Sequence, residues 1–241
     1  MGFIKRNLPV FLYDFLYDFY EDYIGVSQKS YSNEGEDIIL QKIFSKKQNK
    51  GFYIDVGCYH PKTYSNTYFF YKKGWQGMNI DANPLCIKKF KQFRKKDINL
   101  NFGVGKEKES LTFYLCNVPA CNTFSKEIVD EKVKNNDIKL ISTLQVEIVP
   151  LAKILDEYLP ENQQIDIMDI DVEGFDLAVL QSNNWEKYRP KILLAEDFNR
   201  NFMANPESSA IYQFLISQNY ELISKTFNTL FFQDKNQNNL K

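Results

Sequence analysis

Five short apolar runs in this 241-residue chain end in polar, mostly acidic residues. The run at 51–56 (GFYIDV) leads into Asp55-Val-Gly57-Cys-Tyr-His60-Pro61, and 77–81 (GMNID) into Asp81-Ala-Asn83-Pro84. The run at 99–104 ends in Asn101 to Gly105, 165–170 (IDIMDI) in Asp169-Ile-Asp171-Val-Glu173-Gly174, and 192–196 (ILLAE) in Glu196-Asp197. Carboxylates so placed can take a proton from a hydroxyl, hold a hard cation, or accept hydrogen bonds from a ribose. A purely structural sheet has no reason to gather acids at one edge, because an unpartnered charge is costly to bury.

Two of these ends point to a nucleoside. Gly57 permits a tight turn after the first strand, and Asp81 follows Asp55 by 26 residues, near the spacing of a ribose-binding acid. The rest of G-x-G-x-x-G is missing. Those glycines let a backbone wrap a pyrophosphate, so their absence counts against NAD or FAD. A cofactor with ribose and adenine but no phosphate fits, and S-adenosylmethionine is that cofactor.

The elements that must carry these ends read as follows. Helices are expected at 36–44, 66–73, 84–95, 151–158, 175–181 and 208–218, alternating with the apolar runs. Strands at 111–116 and 144–149 flank a polar insert at 121–142, and 220–224 with 229–232 suit a hairpin across Phe227–Asn228. Strand–helix alternation at this spacing implies βαβ units. The expected fold is α/β: a mostly parallel, doubly wound Rossmann-like sheet with an antiparallel C-terminal edge.

The chain resembles the FkbM family of methyltransferases. The resemblance rests on Ser30-Tyr-Ser-Asn-Glu-Gly-Glu-Asp37, Gly51-Phe-Tyr-Ile-Asp-Val-Gly57, Ser65-Asn-Thr67, Gly74-Trp-Gln-Gly77 with Asn79-Ile-Asp81, Asn122-Thr-Phe-Ser125 and Ile170-Asp-Val-Glu-Gly174, continuing through Trp185, Arg189-Pro190 and Glu196. Asn33 stands where the family more often has Gln. The similarity implies a class I methyltransferase fold, S-adenosylmethionine as donor, and an oxygen acceptor on a sugar or polyketide-like molecule. A sugar, or nucleotide-linked sugar, of a surface (capsular) polysaccharide is the expected substrate by that analogy. It also implies that Asp55 and Gly57 form the loop at the methionine end and that Asp81 holds the ribose. Ser32, Gly35 and Glu36 would form a lid over the donor's amino-acid end. Ser65, Asn66 and Thr67 would cap the following helix or reach the donor.

Methyl transfer to an alcohol needs alignment and a base. Asp171, Glu173, Glu196 and His60, the only histidine, are the candidates. The Asp171–Glu173 pair is favoured because it follows a strand directly and Gly174 lets a substrate approach. A divalent cation, Mg²⁺ or Mn²⁺, is a second route, held by Asp171 with Glu196 or Asp197. Asn122, Thr123 and Ser125 could hydrogen-bond an acceptor, and Phe198, Phe202 or Tyr212 could stack on a sugar.

The remaining composition bounds the partners. Thirty basic and 31 acidic residues give a net charge of −1, without the basic footprint of a nucleic-acid binder. The lysines at 88, 89, 95 and 96 read as a solvated helix face. Cys58, Cys86, Cys116 and Cys121 form no CxxC pair, and they read as reduced thiols of a cytoplasmic protein. Residues 1–28 hold an aromatic helix in which Leu-Tyr-Asp-Phe occurs twice and Asp14, Asp18 and Asp22 make one acidic stripe. Asp14 and Asp18 interrupt its apolar stretch, so it reads as neither a signal peptide nor a membrane span. It would pack on the domain, join two copies as a homodimer, or, less favourably with an acidic face, meet a membrane. Residues 29–241 would form the methyltransferase domain, with a substrate-shaping insert near 117–143. Two rivals are a nicotinamide-dependent oxidoreductase and a non-catalytic Rossmann-like module acting through the aromatic helix.

Overall fold

The computed structural model describes residues 9–20, 28–47, 49–199 and 201–237. Residues 1–30 and 31–241 form two compact units. The first holds helix α1 (Val10–Tyr20), where Tyr13 and Tyr17 stack at 6.0 Å. Asp22 of the expected acidic stripe, and the side chain of Asp18, lie outside the described residues. Among the described residues no helix is long and apolar enough to cross a membrane.

The second unit runs α2 (Glu36–Ile43), β1 (Phe52–Val56), α3 (Tyr68–Lys72), β2 (Gln76–Ile80), α4 (Pro84–Phe93), β3 (Ile98–Leu100), β4 (Gly103–Val104), β5 (Glu109–Cys116), α5 (Lys126–Lys134), β6 (Leu140–Val149), α6 (Leu151–Tyr158), β7 (Ile167–Ile170), α7 (Asp176–Gln181), β8 (Ile192–Glu196), α8 (Ala210–Ser217), β9 (Tyr220–Lys225) and β10 (Thr229–Asp234). Seven strands form one sheet in the order β3-β2-β1-β7-β8-β10-β9. All its neighbours are parallel except β10, which is antiparallel to both β8 and β9.

Period-two alternation sorts the core onto the two faces of this sheet. Phe52, Ile54, Val56, Met168, Ile170, Leu193 and Ala195 meet Leu151, Leu155, Val179, Leu180 and Leu215 of α6, α7 and α8. Tyr53, Ile167, Ile192, Leu194 and Phe231 meet Leu40 of α2, Phe70 of α3, Phe44 and Trp75. Helices therefore cover both faces. The expected C-terminal hairpin forms, but β10 lies inside the sheet and β9 is the outer strand, running with the parallel set. Burial explains the order: Thr229–Phe232 of β10 are consecutively buried, whereas β9 is mostly half-exposed and suits an edge.

The run at 99–104 is not one strand. It splits into β3, an edge of the large sheet, and β4, which joins β5 and β6 in a separate three-stranded sheet. Asn101 makes the break. Its amide donates to the carbonyls of Asp81 (2.8 Å) and Ala82 (3.0 Å), and turns the chain off the sheet. The polar insert contains α5, capped by Ser125 Oγ accepting from the Ile128 amide, and the first residues of β6.

Helix α4 begins with Asn83 accepting from the Leu85 amide and with Pro84 in the first turn. Its buried stripe is Cys86, Ile87 and Phe90, with Lys88, Lys89, Lys95 and Lys96 exposed. Arg94, in the midst of those lysines, is fully buried. The four cysteines are unpaired.

Candidate active site

Strand order runs outward in both directions from the β1/β7 pair, so a crevice opens beyond the carboxyl ends of these two strands. A cavity of about 350 Å³ lies there. Gly57 sets how closely its two walls approach. It has φ +83°, and a Cβ placed on it would come within 1.7 Å of the Asp171 carbonyl oxygen, so a side chain there would force the loops after β1 and β7 apart.

Seven of the expected site residues line this cavity: Glu36, Gly57, Asn66, Asp81, Asp171, Glu173 and Glu196. Apolar contributions come from Ile80, Cys86, Phe102, Val104, Phe113 and Phe124, and the insert adds Asn122. Asn122 Oδ1 also accepts from the Cys116 amide, while Thr123 Oγ1 donates to the Glu173 carbonyl, so these two side chains brace the insert against the loop after β7.

Five expected residues do not line it, each for a visible reason. Asp55 sits on the Tyr53 side of β1, where its buried carboxylate accepts from Thr67 Oγ1 at 2.6 Å. His60 turns Nδ1 into its own loop, accepting from the amides of Lys62 and Thr63. Ser32 caps Asp37 through its hydroxyl, and Gly35 supplies the left-handed turn (φ +86°) that starts α2. Asp197 accepts from the Asn199 amide and faces a second, broader groove. Of the residues expected to hold a cation, Asp171 and Glu196 converge with Glu173, each with an oxygen within 4.8 Å of the others, whereas Asp197 lies outside this group.

Burial dominates the electrostatics, and like charge adds to it at Asp171 and Glu196. Asp171 is exposed to solvent through the cavity it lines, with protein packed around its other sides. Enclosure, with Asp176 and Glu173 nearby, holds its pKa well above the usual carboxylate range. Burial and the neighbouring Asp171 push Glu196 up to about 11, so Glu196 keeps its proton and hydrogen-bonds Asp171. Glu173, raised by burial, is partly relieved by Lys132 Nζ at 3.3 Å. It holds φ +52°, a strained backbone for a residue with a side chain. Asp176, pushed by burial to about 7, accepts from the amides of Val172 and Gly174 and so fixes the turn that presents Asp171 and Glu173.

On the opposite wall, Asp81 accepts from the amides of Tyr59 (2.9 Å) and Asn83 (2.7 Å). Burial lifts its pKa to about 6, so it is largely ionised at neutral pH. Asn66 donates to Asp169, whose pKa burial and the adjacent Asp55 hold well above the ordinary range.

Sequence reasoning missed Arg94, Lys132, Asp176 and the paired tyrosines Tyr59 and Tyr64. Arg94 had a signal. It lies four residues after Phe90 and continues the buried stripe of α4. Lys132 had none, because its meeting with Glu173 spans 41 residues.

A family model, the methyltransferase FkbM domain, matches residues 55–222. No curated protein matches the chain.

Proposed function

The chain belongs to the FkbM methyltransferase family, and from that premise we propose that it transfers a methyl group from S-adenosylmethionine to a hydroxyl of a sugar. One observation carries the donor assignment. Among the described residues the cavity is lined by Glu36, Asp81, Asp171, Glu173 and Glu196, and by no lysine, arginine or histidine. Such a lining attracts a sulfonium and an ammonium group and repels a pyrophosphate. It therefore favours this donor over a nicotinamide dinucleotide.

The residues present fit the donor. Asp81 would accept from the ribose hydroxyls with its remaining lone pairs, and Ile80, Cys86, Phe102 and Val104 offer an apolar bed for the base. Gly57, lacking a side chain, lets the loops after β1 and β7 pack closely enough to form the two walls of the cavity. The strand order, with β10 alone reversed, supports a Rossmann-like class I methyltransferase fold. When bound, the donor supplies an electrophilic methyl group with its own leaving group. The protein's part is to hold the acceptor hydroxyl in line and to remove its proton. Asp171 is suited to that proton. Its raised pKa makes it a stronger base than a solvated carboxylate, and protonated Glu196 orients it.

The acceptor side is read from the groove of about 1210 Å³ that adjoins the acids through Lys132 and Asp197. Phe198, Phe202 and Phe227 with Asn199 and Asn228 combine ring faces and amides, the pairing that suits a sugar. The unpaired cysteines suit a reducing, cytoplasmic location. The aromatic helix within residues 1–28 is assigned to association as a homodimer, which static light scattering with and without that segment tests by mass.

Calorimetric titration with S-adenosylhomocysteine tests the donor assignment. Wild-type protein binds it and Asp81→Ala does not; absence of heat with the wild type overturns the reading. Labelled donor offered with neutral and nucleotide-linked sugars then tests the acceptor. Label in amine or carboxylate products alone overturns the O-methylation reading.

A further inference from the structure

Arg94 is the largest fully buried side chain, and no catalytic step calls on it. Burying a guanidinium is unfavourable unless its donors are met. Here they are. Nε donates to the Pro61 carbonyl (2.9 Å), Nη1 to Thr67 Oγ1 (2.7 Å) and Tyr53 Oη (3.2 Å), and Nη2 to Ser65 Oγ (2.7 Å). The rings of Tyr53, Tyr68, Tyr71 and Phe90 lie 5.1–5.7 Å from Cζ. Among the described residues no carboxylate makes an ion pair with it within 4 Å. It reaches acids only through hydroxyls: Tyr53 donates onward to Asp97 (2.5 Å) and Thr67 to Asp55 (2.6 Å).

Three of those partners, Pro61, Ser65 and Thr67, belong to one loop. That same loop sends Tyr59, Tyr64 and Asn66 into the cavity. Tyr59 and Tyr64 both have left-handed backbones, φ +50° and φ +53°. Two strained, side-chain-bearing residues persist only where the surroundings over-determine them. Arg94 ties the loop down from one side. Asp55 and Asp169, which are register neighbours on β1 and β7, tie it from the other through Thr67 and Asn66.

We propose that Arg94 is a positioning residue for the donor: its planar fork fixes the loop from Pro61 to Thr67 from beneath, so that Tyr59, Tyr64 and Asn66 present a preformed wall to the cofactor. The inference rests on the reading of the cavity as the donor site. Lysine cannot replace the fork, because one ammonium cannot span a carbonyl and two hydroxyls in a fixed plane.

The test compares Arg94→Lys with wild type by calorimetric titration with S-adenosylhomocysteine, alongside kinetics with labelled donor. Arg94→Lys should weaken binding about tenfold, the equivalent of one charge-assisted hydrogen bond. Its KM for the donor should rise by a similar factor, while kcat at saturating donor stays close to wild type. Leu155→Ala, a core truncation on α6, lowers stability but leaves donor affinity unchanged. Should Arg94→Lys not fold, Ser65→Ala removes a single acceptor of the fork and should weaken binding about threefold, half the logarithm of that loss. Unchanged affinity in folded Arg94→Lys, or in Ser65→Ala, overturns the proposal. So does an equal loss in Leu155→Ala. A wild type that binds no S-adenosylhomocysteine instead overturns the donor assignment itself.

Discussion

Beneath the cavity, Arg94 is surrounded by hydroxyls, a carbonyl and four aromatic rings. Beside the cavity, Asp171, Glu173 and Glu196 crowd together, with Lys132 paired to Glu173 at 3.3 Å. The first group is a buried charge whose bonding capacity is met. The second is a set of like charges whose pKa values are all driven upward. The contrast separates scaffold from chemistry. A satisfied network holds a shape, whereas crowded acids raise the free energy of their ionised forms, and a base must be raised in this way to take a proton.

The largest effect is expected where the two groups meet. Gly57→Ala would drive a methyl group into the Asp171 carbonyl and demand a left-handed backbone from alanine. It should cost roughly 4 kcal/mol or more of stability, in the range diagnostic of backbone conflict, and abolish donor binding. Urea denaturation and calorimetry read both. Retained binding would show that the loops after β1 and β7 move independently.

Next come two substitutions that should act in opposite directions on stability. Asp171→Asn removes the favoured base, so kcat should fall by about 10²- to 10⁴-fold. Relief from Asp176 and Glu173 should meanwhile raise the melting temperature. Arg94→Met leaves the hydroxyls of Thr67 and Tyr53, and the acids Asp55 and Asp97 that they bond, without a counter-charge, and should cost about 3–5 kcal/mol. If both variants lose stability alike, the contrast between crowded and satisfied charge fails.

The large sheet was legible because its signals are local. Short, largely apolar runs at 52–56, 167–170 and 192–196 mark strands buried on both faces, and the helices between them carry their own stripes. The break after β3 was not legible, since it depends on Asn101 finding the carbonyls of Asp81 and Ala82 across the fold. At the site, residue type and position after a strand located the acids. Side-chain direction decided which of them reach the cavity. Asp55 shares a face with Tyr53 and points toward Thr67, two residues before the turn at Gly57. His60 had the right chemistry but spends Nδ1 on two amides of its own loop.

A smaller effect should appear with pH. Asp81 has its pKa raised to about 6 by burial, and only its ionised form keeps all its lone pairs for ribose hydroxyls. Donor affinity should therefore be level above that value and fall about tenfold per pH unit below it. Asp81→Asn should flatten the profile. The fold itself should respond in the opposite direction. Asp81 and Asp176, raised to about 6 and about 7, bind protons more tightly folded than unfolded. Their contribution to stability is complete below the ordinary carboxylate range and is lost as pH rises through 7. Melting temperatures measured without donor should accordingly be higher at pH 5.5 than at pH 8, as order-of-magnitude settings on either side of those values.

The smallest effect is expected from metal removal, and it discriminates most finely. Three converging carboxylates resemble a hard-cation site, but two of their charges are already compensated. Glu196 retains a proton, and Glu173 is paired with Lys132 at 3.3 Å. A divalent ion would have to displace both before it gained anything from Asp171. Chelator should therefore leave turnover unchanged, and Mg²⁺ should not shift the melting temperature of the wild type. Lys132→Ala removes one of the two compensations, so the same titration should now show stabilisation by Mg²⁺. A wild type that loses activity with chelator would instead mean that the acids are balanced by a cation, and Lys132 would have to be read as the residue that yields to it.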